Sequence, residues 1–180
     1  MITNDWKAEA AARLQRKNRI LFSPKDAFLR GLARRCAEQR HKTVVLWAFS
    51  FSEEIVEDLK RIYPLETRPQ ETLEAARLWA AGKIKMPRAK AAILACHALA
   101  NEQNAEGGAF CHALGQACST VHTAGHAMGL CVYELTALIH KYGLDHCDAA
   151  IEDRRRAYEE RLLYFRNADC EDAEWANFLK

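Results

Sequence analysis

Apolar positions along this chain recur every three or four residues, and the alternation expected of strands is nearly absent. Thr3 or Asn4 is placed to cap a first helix reaching about Arg19, and Ser23-Pro24-Lys25-Asp26 reads as the start of a second, to about Arg40. The run VVLWAF would suit a strand taken alone. The spacing of Phe51, Ile55, Val56, Leu59 and Ile62 is helical, so one helix is predicted from about Lys42 to Tyr63, ended by Pro64. Arg68-Pro69 opens the next, with Leu73, Ala76 and Ala80 inward and Gly82 as its stop. Another is expected from about Pro87 to Asn104, with Ala89, Ile93, Cys96, His97 and Ala100 on its inner stripe, before a break at Gly107-Gly108. Asp145 opens a last long helix to about Phe165, and a short one is expected from Asp169 to Leu179.

The segment between these elements decides the architecture. From Gly107 to Tyr133 there is no Asp, Glu, Lys or Arg. Histidine, Gln116, Ser119 and threonine interrupt it, and most of the rest is Ala and Gly, so it does not read as a membrane span. A helix without charge on any side belongs at the centre of a bundle. Small residues such as Gly125 and Gly129 let neighbouring backbones approach, and a bend or break is predicted near Thr123 to Gly125. The expectation is all-α: one domain, residues 1–180, of seven or eight helices, with 109–141 central.

Composition narrows the classes of function. The 180 residues are 49% hydrophobic and 28% charged, a globular balance that excludes a disordered tail. Net charge is only +2, so no overall field points to nucleic acid or a membrane surface. Charge is nevertheless uneven. Residues 7–42 hold eleven Lys/Arg against three Asp/Glu, and residues 145–180 hold six against ten. Such faces suit solvent, each other, a second copy in a homodimer, or a partner. The basic third lacks a helix-turn-helix or an aromatic platform, so nucleic acid is not an expected partner. Seven cysteines without a CxxC pair, behind a charged N-terminus with no apolar signal segment, lead us to expect free thiols and a cytoplasmic setting.

No phosphate loop, dinucleotide fingerprint, GxSxG or HExxH occurs. What remains is a group of thiols and imidazoles: Cys96-His97, Cys111-His112, Cys118, His122 and His126. On one continuous helix, Cys111, Cys118 and His122 would fall within roughly 40° of each other. Cys118, His122 and His126 would then form a candidate divalent-metal set, with His97 from the neighbouring helix as a fourth ligand. The competing expectation is a cofactor-free cluster in which His97, His122 and His126 are nearly buried, meet around Gly125, and bond to hydroxyls or freed carbonyls. Trp47 and Trp79 are expected as core anchors.

The strings VVLWAFSFSEEIV, RPQETLEAARLWAAGKI, AKAAILACHALA and GQACSTVHTAGHAMGLCVYEL, in that order, resemble the immunity-five-like family of bacterial proteins associated with polymorphic-toxin systems. The resemblance covers about residues 40–165. It implies a small cytoplasmic protein that binds and neutralises a toxin, and it transfers no catalytic residue. A binding protein rather than an enzyme is therefore expected, with the acidic segment Asp169 to Glu174 as one candidate toxin contact. The alternative is a metal- or small-molecule-binding protein or enzyme built on the His/Cys cluster.

Overall fold

A computed structural model describes residues 6–168 and 174–180, and these form an all-α bundle of eight α-helices and three single 3-10 turns. The N-terminal pair, α1 (Trp6–Gln15) and α2 (Ala27–Ala37), is tied by a bidentate ion pair in which Arg13 Nη2 donates to Asp26 Oδ1 at 2.6 Å. Asp26 also accepts the Ser23 N–H at 2.7 Å, so Asp26 rather than Ser23 precedes the helix, and α2 begins later than predicted. The Thr3/Asn4 cap lies outside the described residues.

The long α3 (His41–Ile62) confirms that VVLWAF is helical. Its apolar face is too wide for one neighbour, and it packs on α4, α6 and α8 together. Trp47 and Phe51 are completely buried there with Tyr158, at centroid separations of 4.9–5.9 Å. Trp47 Nε1 donates to the Tyr158 carbonyl at 2.9 Å, which satisfies its one polar atom. Two helices, α4 (Arg68–Ala80) and α5 (Met86–Leu99), form a hairpin, and a 3-10 turn follows at Ala100–Glu102.

Gly107 and Gly108 are not a break. They sit in the first turn of α6 (Ala105–Ser119), whose N-cap Asn104 accepts the Gly107 N–H at 2.8 Å. The interruption falls earlier, at Gln103, because the Asn cap sets the start and the glycines allow close packing behind it.

The uncharged segment is central, as its composition requires, and the predicted bend or break is a full chain reversal that makes the segment a hairpin. Helix α6 ends at Ser119, a 3-10 turn spans Ala124–His126, and α7 runs over Ala127–Tyr142. Contacts pair His112 with Tyr133 and Gln116 with Gly129, the register of two antiparallel helices. His41 Nε2 donates to the freed Thr120 carbonyl at 2.5 Å and so fixes the end of α6 against the start of α3.

The final helix, α8 (Asp148–Asn167), closes the bundle against α3, α7 and α2. It starts three residues after the predicted Asp145. The uneven charges meet each other here: Lys7 Nζ lies 2.5 Å from Asp148, and Arg35 lies 2.6 Å from Glu159. Of the expected last helix, residues 169–173 lie outside the described part, and the rest forms only a 3-10 turn at Asn177–Leu179. That tail docks on the end of α4, the Ala176 N–H donating to the Ala80 carbonyl at 2.7 Å. Among the described residues no helix is long and apolar enough to cross a membrane.

Candidate functional site

Four elements converge on one cleft of about 290 Å³. Helix α4 contributes Trp79. Helix α5 contributes Met86, Lys90, Ile93, Leu94 and His97. Ser119 at the end of α6, and His122 and His126 from the α6–α7 connection, complete the wall. The three predicted histidines therefore line the same space, but not in the predicted way.

His97 is half-buried on α5 and lies flat against the backbone of α6 at Gly115. A Cβ at Gly115 would stand 2.5 Å from the Cε1 and Nε2 atoms of this ring, so only glycine lets the imidazole lie there. Its Nδ1 is 2.9 Å from Nδ1 of His112, one turn earlier on α6. One of these nitrogens donates and the other accepts. His112 in turn packs on the Tyr133 ring of α7 at 4.9 Å. His126 Nδ1 donates to Gln116 Oε1 at 2.8 Å, and Gln116 lies on Gly129, whose Cα leaves the amide its place. His122 is exposed rather than buried, with its ring near-parallel to the Trp79 indole at 6.4 Å. Trp79 itself is buried and acts as the floor of the cleft.

The electrostatics follow from burial and crowding. Burial holds His97 below the ordinary imidazole pKa, and the nearby His112 and His126 add to the effect. Burial lowers His126, assisted by His122, and lowers His112, assisted by Arg19. These rings are neutral in the folded protein at neutral pH. Nε2 of His97 and of His126 has no hydrogen-bond partner among the described residues, yet none of these residues' side-chain nitrogens or oxygens is both buried and unpaired. These two nitrogens consequently keep some access to solvent. Ser119 Oγ donates back to the Gly115 carbonyl at 2.7 Å rather than to a histidine.

The metal set does not assemble. Because α6 stops at Ser119, His122 and His126 are not on the helical face that carries Cys118. Cys118 is completely buried, and burial pushes its thiol up to about 12, which disfavours the thiolate a metal needs. Among the described residues no three His, Cys, Asp or Glu side chains are gathered around a metal-sized space. The six described cysteines are buried free thiols. Cys96 Sγ donates to the Cys111 carbonyl at 3.4 Å. The acidic toxin-contact candidate lies outside the described residues except for Glu174, which pairs with Lys83 at 2.8 Å.

Gln116 was the participant hardest to see in the sequence, and His112, although one of the grouped imidazoles, was not among the expected ligands. The signal was their spacing on α6: His112, Gly115, Gln116 and Ser119 fall on one side of a helix. A second polar group was also hidden. Glu134, the first charge after the uncharged segment, is completely buried. It accepts the Tyr158 hydroxyl at 2.6 Å and lies 3.5 Å from Arg154, and burial raises its pKa despite that arginine.

Against this geometry the family comparison is decisive. The family described as Imm-5 like putative immunity protein matches residues 34–161. The chain belongs to this family. The match starts near the end of α2 and runs into α8, so it takes in the whole cleft and the Glu134 cluster while leaving out α1. No curated protein and no solved structure matches the chain.

Proposed function

We propose that this immunity-family protein binds a cognate bacterial toxin in the cytoplasm and neutralises it stoichiometrically, without chemistry of its own. The observation that carries the reading is the family match across α3 to α8, the helices that build the core. The fold supports it in a simple way. Buried ion pairs and aromatic packing make a rigid frame, and the outer side of α8 offers a charged surface, with Asp153, Arg156 and Glu160 exposed. A rigid charged surface is suited to fast, tight association, because little freedom is lost on binding.

The test is co-expression with each toxin candidate encoded beside the gene. Restored growth with one of them, together with a 1:1 complex on size-exclusion chromatography, is the expected result. Failure to restore growth against every neighbouring toxin would overturn the reading.

The second reading, a small-molecule-binding protein, is favoured by one observation: the cleft has apolar walls and two imidazole nitrogens, Nε2 of His97 and of His126, without a hydrogen-bond partner among the described residues.

A further inference from the structure

The histidine cleft carries an inference that goes beyond toxin binding and does not depend on it. Its walls divide by chemistry. Trp79, Met86, Ile93 and Leu94 form an apolar side, while Lys90, His97 and His126 present nitrogen. Among the lining residues Lys90 is the one full charge, and none is acidic. A cation would meet Lys90 with no counter-charge. A phosphate dianion calls for several N–H donors or an arginine fork, and the cleft has neither. Its volume of about 290 Å³ lies at the lower edge of the roughly 300–1,000 Å³ typical of ligand sites, so it suits a single ring or a short branched chain. The site is also preformed. Gly115 sets the plane of His97, His112 holds its Nδ1, and Gln116 holds Nδ1 of His126.

We propose that this cleft binds a compact apolar carboxylate, the body of the ligand lying on Trp79, Ile93 and Leu94 and its carboxylate reaching Lys90, His97 and His126. When His112 donates to His97, His97 presents Nε2–H to the carboxylate. His126 has its proton on Nδ1 and offers only a lone pair at Nε2, so a carboxylate beside it brings a proton with it. The titratable groups facing the site are Lys90 and His97 from α5, His112 behind His97 on α6, and His122 and His126 from the connection. Trp79 is the contribution of α4. Binding therefore tightens as pH falls, by at most about tenfold per pH unit for one linked proton.

Phenylacetate and 4-methylpentanoate are the probes, with phenylacetamide and benzylamine as controls, followed by calorimetry and by NMR of the imidazole C–H resonances. Both carboxylates are expected to shift His97 and His126. The amide is expected to bind at least about tenfold more weakly, a difference of about 1.4 kcal/mol. Lys90→Gln, an exposed substitution that leaves the core intact, is expected to weaken carboxylate binding severalfold. The proposal is overturned if neither carboxylate moves these resonances at about 10 mM. It is equally overturned if the amide binds as well as the acid, or if folded Lys90→Gln binds unchanged. Toxin rescue does not enter the experiment, so failure here leaves the immunity reading untouched.

Discussion

Two polar clusters flank the α6–α7 hairpin, and they are built on opposite plans. Consecutive residues of α7 point into them: Tyr133 packs on His112, and Glu134 meets Tyr158 and Arg154. The Glu134 cluster is closed. Arg154 also donates to Glu54 at 2.7 Å, Arg161 reaches the same carboxylate, and both guanidinium groups lie over the Phe51 ring. The histidine cluster is open. It is held from behind by Gln116 and by the His97–His112 pair, and its remaining nitrogens keep some access to solvent. A buried charge must be fully partnered to be tolerated, so the first cluster is a structural clasp joining α3, α7 and α8. A neutral imidazole at the edge of a cleft can leave one hydrogen-bonding position to water, so the second has capacity left for a ligand.

The largest expected effect tests the closed cluster. Glu134→Ala leaves the buried Tyr158 hydroxyl without its acceptor and Arg154 with Glu54 as its remaining counter-charge, and is expected to cost about 3–5 kcal/mol in urea unfolding. Glu134→Gln keeps an acceptor for Tyr158 and is expected to cost less than half as much. Equal losses for the two would show that the charge, not the hydrogen bond, holds the clasp.

Next is the packing behind the open cluster. Gly115→Ala drives a methyl group into the His97 ring and is expected to cost about 1–3 kcal/mol. The loss is expected to shrink when His97→Ala is made in the same chain, which a double-mutant cycle measures. Additive losses would mean that the ring is not what the glycine accommodates.

A smaller effect concerns pH. His97, His112 and His126 have folded pKa values below the ordinary value of about 6.5. On acidification the unfolded chain takes up protons first, so these rings contribute stability above that value and lose it as pH falls through about 6.5 toward their folded pKa values. Glu134 acts with the opposite sign, because burial raises its pKa. The measurable quantity is therefore a difference: a His97→Gln/His112→Gln variant is expected to lose less stability between about pH 7 and pH 5.5 than the parent. A parallel loss would remove these two rings from the pH response.

The smallest effect is at the rim. His122 is exposed, and His122→Ala is expected to change stability by no more than about 0.5 kcal/mol. Because the ring lies beside Trp79, the same variant is expected to alter the indole fluorescence. An unchanged spectrum would place His122 away from the cleft floor in solution.

The helical reading of Phe51, Ile55, Leu59 and Ile62, and the central place of the uncharged segment, were legible because periodicity and the avoidance of charge are local properties of a sequence. The motif strings marked the family for the same reason. The metal set was not legible. It assumed one helix through residues 118–126, and a seven-residue connection after Ser119 turned His122 and His126 out of register with Cys118. The Glu134 cluster is not legible because its members are 20 to 100 residues apart in sequence, and nothing in the spacing of Glu54, Glu134 and Arg154 announces that they meet.

By itself the sequence determined the helices, the uncharged segment at their centre and the family, since each depends on residue type and short-range spacing. Only the tertiary structure decided how the imidazoles are held around the cleft, which nitrogen of each is left over, and which carboxylate is buried. Those properties depend on contacts between helices, and the seat of the His97 ring on α6 depends on Gly115, a meeting that neither segment specifies alone.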